Sequence, residues 1–322
     1  MLRFIHGALC AILGSLFAVQ AVAADTFPNR PIRLIVPFSP GGGTDISARI
    51  LSKPLGETLG TTIVVDNRPG AGTIIGTSIA IKAEPDGYTL FLGTISVAVN
   101  PAIYKKLPYD VQKDLAPISR VSTQPSVIVV HPSFPAKTIK EFLTMARAKP
   151  DAYNFGSPGF GTAGHLAAEL LWQKVGAKLV HIPFKGTGPA LNALLGNQIT
   201  VYMSSLASAL PHIEQHRLRA LAVSTAKRAG PLPNVPTLKE EGVDFEYGPW
   251  YGLFAPIKTP KKLIDQINKA TLTALKSPEL LHLFERQGLL ATPTTPQEFA
   301  EYIASEKAKW AVAARTAKIP MQ

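Results

Sequence analysis

The chain is almost free of cysteine, carrying Cys10 alone among 322 residues. That one thiol falls in a stretch expected to be removed. A mature chain without cysteine has no disulfides, no Cys-based metal site and no thiol nucleophile. Beyond the N-terminus there is no long uninterrupted apolar run, which excludes a multi-span membrane protein. Charge is sparse, at 17% of residues, against 46% hydrophobic. That balance excludes disorder, because ample apolar surface exists for a core. The 33 Lys+Arg exceed the 22 Asp+Glu, but they occur singly or in pairs such as Lys105-Lys106, Lys227-Arg228 and Lys261-Lys262. Without a basic run interleaved with aromatics, nucleic acid is not an expected partner. A solvated basic surface with a weak pull on anions remains.

What is present begins with an address. Arg3 and His6 precede an uncharged stretch from Gly7 to Ala24 that ends Ala21-Val22-Ala23. A basic start, an apolar centre and small residues at −3 and −1 predict a secretory signal peptide over residues 1–24, cut near Ala23 or Ala24. Loss of Arg3 alone leaves 32 basic against 22 acidic residues, a net charge of +10. At about 150 residues per domain, the length predicts two domains.

Catalytic patterns are thin. Ser224-Thr225-Ala226-Lys227 spells S-x-x-K, yet no Ser-Asp-Asn or Lys-Thr-Gly accompanies it. The alternative function that this leaves is an exported serine hydrolase using Ser224 and Lys227. Of the six histidines beyond the leader, only His212 and His216 form a close pair, and no H-E-x-x-H order surrounds them. That spacing predicts a surface pair on a helix, not a metal site. Asp45 and Arg49, also four apart, are expected to pair on theirs.

Short β-branched runs alternate with amphipathic ones. Ile32–Val36, Ile63–Val65 and Tyr88–Leu92 read as strands, with helices over 44–59 and 76–83 between them. This order predicts a parallel α/β sheet covered on both faces. A second module follows the same scheme, with strands at 127–130, 154–157, 179–182, 199–203 and 218–223. Thr138-Ile139-Lys140-Glu141 is a capping box that opens a helix to about Ala148. Thr259-Pro260, Ser277-Pro278 and Thr295-Pro296 each place a capping residue before proline. Three helices are therefore expected to close the chain, with Gly288 as a C-terminal cap. Trp172 and Trp310 fall on apolar helix faces and read as core. For Trp250, hinge and pocket lining compete.

Two segments share one design, each running from a strand through glycines into a helix start: Val36–Asp45 and Asn154–His165. A helix N-terminus leaves its first N–H groups unpaired and carries partial positive charge, so it holds anions without Lys or Arg. Either loop alone is as well explained by a tight turn; two in separate modules favour binding. Gly159-x-Gly161-x-x-Gly164 matches the dinucleotide fingerprint. However, the following strand ends His181-Ile182-Pro183-Phe184, without the acid that would bind a ribose. Neither loop carries the Gly-Lys-Ser/Thr of a phosphate-binding loop. No cofactor is expected, and a small anion such as a carboxylate fits better than a nucleotide.

These loops carry a resemblance. Pro31–Phe38 followed by Gly41-Gly42-Gly43-Thr44-Asp45, then Asp66–Gly72, Pro85–Leu90, Phe155–Gly159, His165-Leu166-Ala167, His181–Gly186, Ala209–Ile213 and Trp250–Leu253 resemble, in order, the Bug (TctC-like) family. Its members are periplasmic solute-binding proteins of tripartite tricarboxylate transporters. The resemblance implies an α/β, two-domain periplasmic-binding-protein (type II, Venus flytrap) fold with a hinge and an interdomain cleft. Residues 25–125 plus 247–322 would form domain 1 and residues 126–246 domain 2. It implies a periplasmic, non-enzymatic, monomeric protein that takes a di- or tricarboxylate or an aromatic carboxylate. The partner would be membrane permease subunits, or in a weaker reading a sensor kinase. Carried over residue by residue, the ligand site comprises Phe38, Gly42, Gly43, Thr44 and Asp45 from the first loop. Ser157, Gly159, Gly161, Thr162 and Ala163 come from the second, with His165 nearby. Many relatives carry Asp roughly where Ser204 stands. Its loss either argues against an amino acid and for an apolar or aromatic body lying near Phe38, or means only that Ser204 replaces a structural Asp.

Overall fold

The computed structural model describes residues 27–316; the expected leader, its cut near Ala23 or Ala24, and Cys10 lie outside the described residues. Eleven strands among the described residues form two sheets: β1 (Ile32–Val36), β2 (Ile63–Asn67), β3 (Thr89–Thr94), β4 (Leu115–Thr123), β5 (Ser126–Val130), β6 (Asn154–Ser157), β7 (Val180–Pro183), β8 (Val201–Ser205), β9 (Arg219–Val223), β10 (Trp250–Pro256) and β11 (Leu290–Ala291). One sheet has the order β11-β4-β10-β3-β1-β2 and the other β7-β6-β8-β5-β9.

The two sheets repeat one plan. Each has a parallel trio, β2-β1-β3 or β7-β6-β8. Each trio is followed by an antiparallel strand, β10 on β3 or β5 on β8. The chain leaves the first sheet by β4, crosses at Gln124-Pro125 and enters the second by β5. It returns from β9 to β10. The expected all-parallel sheets are therefore corrected to mixed ones, because each returning strand must run against the trio it joins.

Most expected elements are present. Helices span Gly43–Leu59, Ile139–Ala148 and Ala163–Lys174. Thr138 caps the second of these by accepting from Glu141 N–H, while the Glu141 carboxylate accepts from Lys137 N–H. Ser277 and Thr295 cap the last two helices, Pro278–Arg286 and Pro296–Thr316, as expected. Thr259 does not cap: the first of the three closing helices runs over Lys261–Ala274 and Pro260 takes the cap position. Gly288 has φ of +65°, as a residue just past a helix C-terminus requires. His212 and His216 do not share a helix. Their helix ends at Glu214 and His216 has φ of +56°, so the expected surface pair is corrected.

The apolar faces pack where the periodicity puts them. Leu34, Val36, Leu51 and Leu55 are wholly buried between the first sheet and the Gly43–Leu59 helix. Each such side chain contributes roughly 1.5–3 kcal/mol through burial. A second cluster runs continuously from Phe91, Phe254 and Phe299 to Ile128, Phe155 and Trp172, binding the two halves through one core. Trp172 and Trp310 are core residues. Trp250 is buried against Phe299 and Tyr302, so it packs in the core at the second crossing. Among the described residues, no helix is long and apolar enough to cross a membrane.

Candidate functional site

The carboxyl ends of the parallel strands in both sheets converge, which is where open α/β sheets bind ligands. β1 leads into the first glycine loop, β3 into Ile95-Ser96, β6 into the second glycine loop, and β8 ends at Ser205. Between them lies a cavity of about 60 Å³. Gly42, Gly43 and Thr44 form one wall of it. Thr162, Ala163 and Gly164 form another, and Phe38 contributes from the rim. None of its lining residues carries a charge.

The first wall is the start of the Gly43–Leu59 helix. Gly42 is its N-cap and offers no side chain, so the first-turn N–H groups keep their capacity to bind an anion. Glycine is needed at 43 for a specific reason. A Cβ there would lie 2.5 Å from Tyr251 Oη and 3.0 Å from Ser205 Oγ, and closer still to the Gln124 amide. Gln124 Nε2 donates to Tyr251 Oη. Burial raises the Tyr251 phenol above its ordinary range, as it does for Tyr202 and Tyr247, also in the wall. The phenols therefore stay protonated.

Asp45 stands behind this wall. Its carboxylate accepts from Gly41 N–H at 3.0 Å, Arg49 Nε at 2.9 Å and Asn67 Nδ2 at 3.0 Å. Burial alone would raise its pKa, but these donors outweigh it and hold the group below the usual carboxylate range. Asp45 therefore shapes the loop from behind, and the expected pairing with Arg49 is present.

The second wall is built differently. Gly159 and Gly161 have φ of +146° and +72°, conformations that glycine adopts without strain. Thr162 Oγ1 accepts from His165 N–H and donates to Gly159 O. Beneath lies a partly buried ring cluster: the His165 and His181 rings are 3.9 Å apart between centroids and 23° from parallel, and the exposed Phe160 ring is 5.1 Å from the first and 6.0 Å from the second. Gly161 N–H donates to His165 Nδ1, and Ser157 Oγ, which accepts from Gly159 N–H, is 2.6 Å from His181 Nε2. Burial, and then the His165 charge, push His181 down to about 3. His165, Glu169 and His181 bring three potential metal-ligating atoms within 4.8 Å. Stacked rings aim their in-plane lone pairs side by side, however, and two of the ring nitrogens already serve the loop. The cluster acts as a brace.

The expected site residues thus divide. Phe38, Gly42, Gly43, Thr44, Thr162 and Ala163 line the cavity. Asp45, Ser157, Gly161 and His165 support the loops from behind, and Gly159 borders a neighbouring chamber. Ser204 is not in the wall: wholly buried, it donates to Ser205 O, and Ser205 is the residue that lines the cavity. Among the lining residues that were not expected are the polar Thr94, Ser96, Ser126, Thr187, Tyr202, Tyr247 and Tyr251 and the apolar Ile95 and Met203. Thr94, Ser96 and Ser205 sit at carboxyl ends of parallel strands, a signal that could have found them.

The two halves touch across the cleft. Ser39 Oγ donates to Lys185 O at 2.5 Å, Tyr104 Oη to Phe160 O at 3.4 Å, and Ala163 N–H to Ser96 Oγ at 3.4 Å. Ser224 does not reach this cleft. It is wholly buried, with its hydroxyl bonded to Ser126 O and Tyr247 O and accepting from Ser126 N–H, so it pins the strand crossings. The hydrolase alternative loses its nucleophile.

Residues 47–317 match the model of the tripartite tricarboxylate transporter family receptor, TctC. Protein BugT of Bordetella pertussis is 37% identical over 310 residues, covering 94% of this chain and 95% of the relative. The periplasmic binding protein BugD superposes with a TM-score of 0.89 at 33% identity, over 92% of this chain and all of that one. R. palustris Rpa4515, solved with adipate, gives 0.89 at 31% identity over the same shares of the two chains.

Proposed function

The chain belongs to the TctC family of periplasmic solute-binding proteins, which are not enzymes and share a two-domain binding-protein fold; from that premise we propose that it captures an organic carboxylate between its two glycine loops and hands it to the permease subunits of a tripartite tricarboxylate transporter. One observation carries the reading. Two helix N-termini, one from each half, meet at a single cavity whose lining holds hydroxyls and backbone amides but no charged side chain. A small anion there is stabilised by N–H groups and phenols. The Rpa4515 relative, solved with adipate, supports a carboxylate as the class of ligand.

The bodies that open and close divide at about 125/126 and 246/247, where the chain crosses between sheets. Closure follows from differential affinity, because only the shut form brings both sets of N–H groups to one carboxylate. The ligand contacts are Gly42, Gly43, Thr44, Thr162 and Ala163, joined by Ser205 and Tyr251. Thermal denaturation with a panel of mono- and dicarboxylates tests this. A ligand at 100 times its dissociation constant adds about 2.7 kcal/mol, and silence across the whole panel would refute the reading.

A further inference from the structure

Gln124 sits where the chain first crosses between the sheets, one residue past β4. It is 1% exposed and does not line the cavity. Its backbone N–H donates to Pro249 O at 3.1 Å, so it also joins the first crossing to the second. Its side-chain amide lies against the α-carbon of Gly43. The oxygen of that amide, Oε1, is buried with no hydrogen-bond partner among the described residues. A buried polar atom left without a partner is rare enough to need a reason.

The reason lies at the other end of the amide. Gln124 Nε2 donates to Tyr251 Oη, and Tyr251 does line the cavity. Burial raises the pKa of this phenol, and the Thr44 side chain works against that by lowering it, as a hydrogen-bond donor does. A phenol has one proton to give and an oxygen that accepts. With two donors directed at the oxygen, the proton has no acceptor among the described residues and is left for whatever occupies the cavity. Turning the amide over would place Oε1 on the phenol instead. Oε1 would then take the proton, and the cavity would present a lone pair where an anion needs a donor.

Resting on the carboxylate reading above, we propose that Gln124 is a positioning residue for the ligand: it fixes the Tyr251 hydroxyl as a donor into the cavity. A wall without charged side chains thereby prefers an ionised carboxylate to a neutral group of the same shape. The orphaned Oε1 follows from that orientation. Gly43 and the bond to Pro249 hold Gln124 in place, so the donor is set before the ligand arrives.

A double-mutant cycle tests this, by calorimetric titration of the full chain with adipate, malate and benzoate. A hydrogen bond to a charged group is strong enough that Tyr251→Phe weakens the tightest of the three acids about tenfold. Gln124→Met keeps the length of the side chain and loses the N–H. It weakens binding about tenfold in the parent chain and less than about twofold in the Tyr251→Phe background. Ligand also shifts the tyrosine ultraviolet absorption of the parent, because a phenol that donates to an anion changes its spectrum, and both single variants reduce the shift. A residue that only supported the fold would leave the cycle additive and the shift intact. Equal losses in the two backgrounds, or full affinity in Gln124→Met, overturn the inference while the carboxylate reading stands. If melting curves show that Gln124→Met does not fold, Tyr251→Phe decides alone: full affinity with an undiminished shift overturns the inference, and loss of both upholds it. If none of the three acids binds, both readings fall together.

Discussion

The α-carbon of Gly43 faces the phenolic oxygen of Tyr251 so closely that an added methyl would come within 2.5 Å of it. Helix start and crossing strand β10 are thereby fitted to each other with no room for a side chain. Gly43→Ala drives Tyr251 or the neighbouring Gln124 out of the cavity wall and cuts carboxylate affinity by tenfold or more. Gly60 is the matched control. It ends the same helix at φ of +73° with open space where a Cβ would sit, so Gly60→Ala costs about 1 kcal/mol of stability. Titration and urea unfolding of both variants separate the roles. Equal affinity in Gly43→Ala and the parent chain would remove Gly43 from the ligand site.

The stack of His165 on His181 makes stability depend on pH. His181 is held down to about 3 by burial and then by the charge of His165, against 6.5 for a free imidazole. Below pH 6.5 the unfolded chain takes up a proton that the native chain refuses, so stability falls as pH drops from 6.5 toward 3. The Glu169 carboxylate, 3.5 Å from His165 Nε2 and within 4.8 Å of a His181 ring nitrogen, also faces the stack. Discounted for partial exposure, the loss is about 1–2 kcal/mol. The drop in urea midpoint between pH 7 and pH 4.5 is therefore smaller in His181→Gln than in the parent chain. An equal drop in the two proteins assigns the acid sensitivity elsewhere.

Much of this architecture is readable from the residues, and the boundary of what is readable has a physical basis. Glycine loops announce themselves, because a turn that must bring backbone near a ligand admits few other residues. Capping boxes do so too, since Thr138 with Glu141 and Thr295 with Glu298 act within one helical turn. The far wall has no such local signature. Gln124, Ser205 and Tyr251 come from a crossing and from two strands of different sheets, brought together only by tertiary packing. Ser204 and Ser205 differ by one position, and which of two adjacent serines reaches the cavity is decided by strand pairing with β5. Asp45 illustrates a third limit: an acid next to a glycine loop looks like a ligand contact, while its hydrogen bonds show it holding the loop from behind.

The contact between Ser39 and Lys185 joins the halves at the mouth of the cleft. A hydrogen bond of this kind contributes about 1 kcal/mol net, so Ser39→Ala shifts the balance toward the open form and weakens ligand binding about fivefold. Because the ligand's own contacts are untouched, the loss falls on dissociation, and stopped-flow traces show faster release at an unchanged association rate. A slower association rate with unaltered release would place Ser39 on the entry path instead.

Glu306 ties the returning strand to the last helix. Its Oε2 accepts from Trp250 Nε1 at 3.3 Å and from Trp310 Nε1 at 3.2 Å, and the residue is only 7% exposed. One carboxylate thus satisfies two indoles, one at the start of β10 and the other on the Pro296–Thr316 helix. Glu306→Leu strands both N–H groups in the core, each costing about 1–3 kcal/mol, and lowers the urea midpoint markedly. Glu306→Gln keeps an acceptor oxygen and loses less than half as much. Since neither indole lines the cavity, carboxylate affinity measured on the folded fraction is unaffected in both variants. A loss of affinity that tracks the loss of stability would mean that this clamp also sets how the second crossing bends.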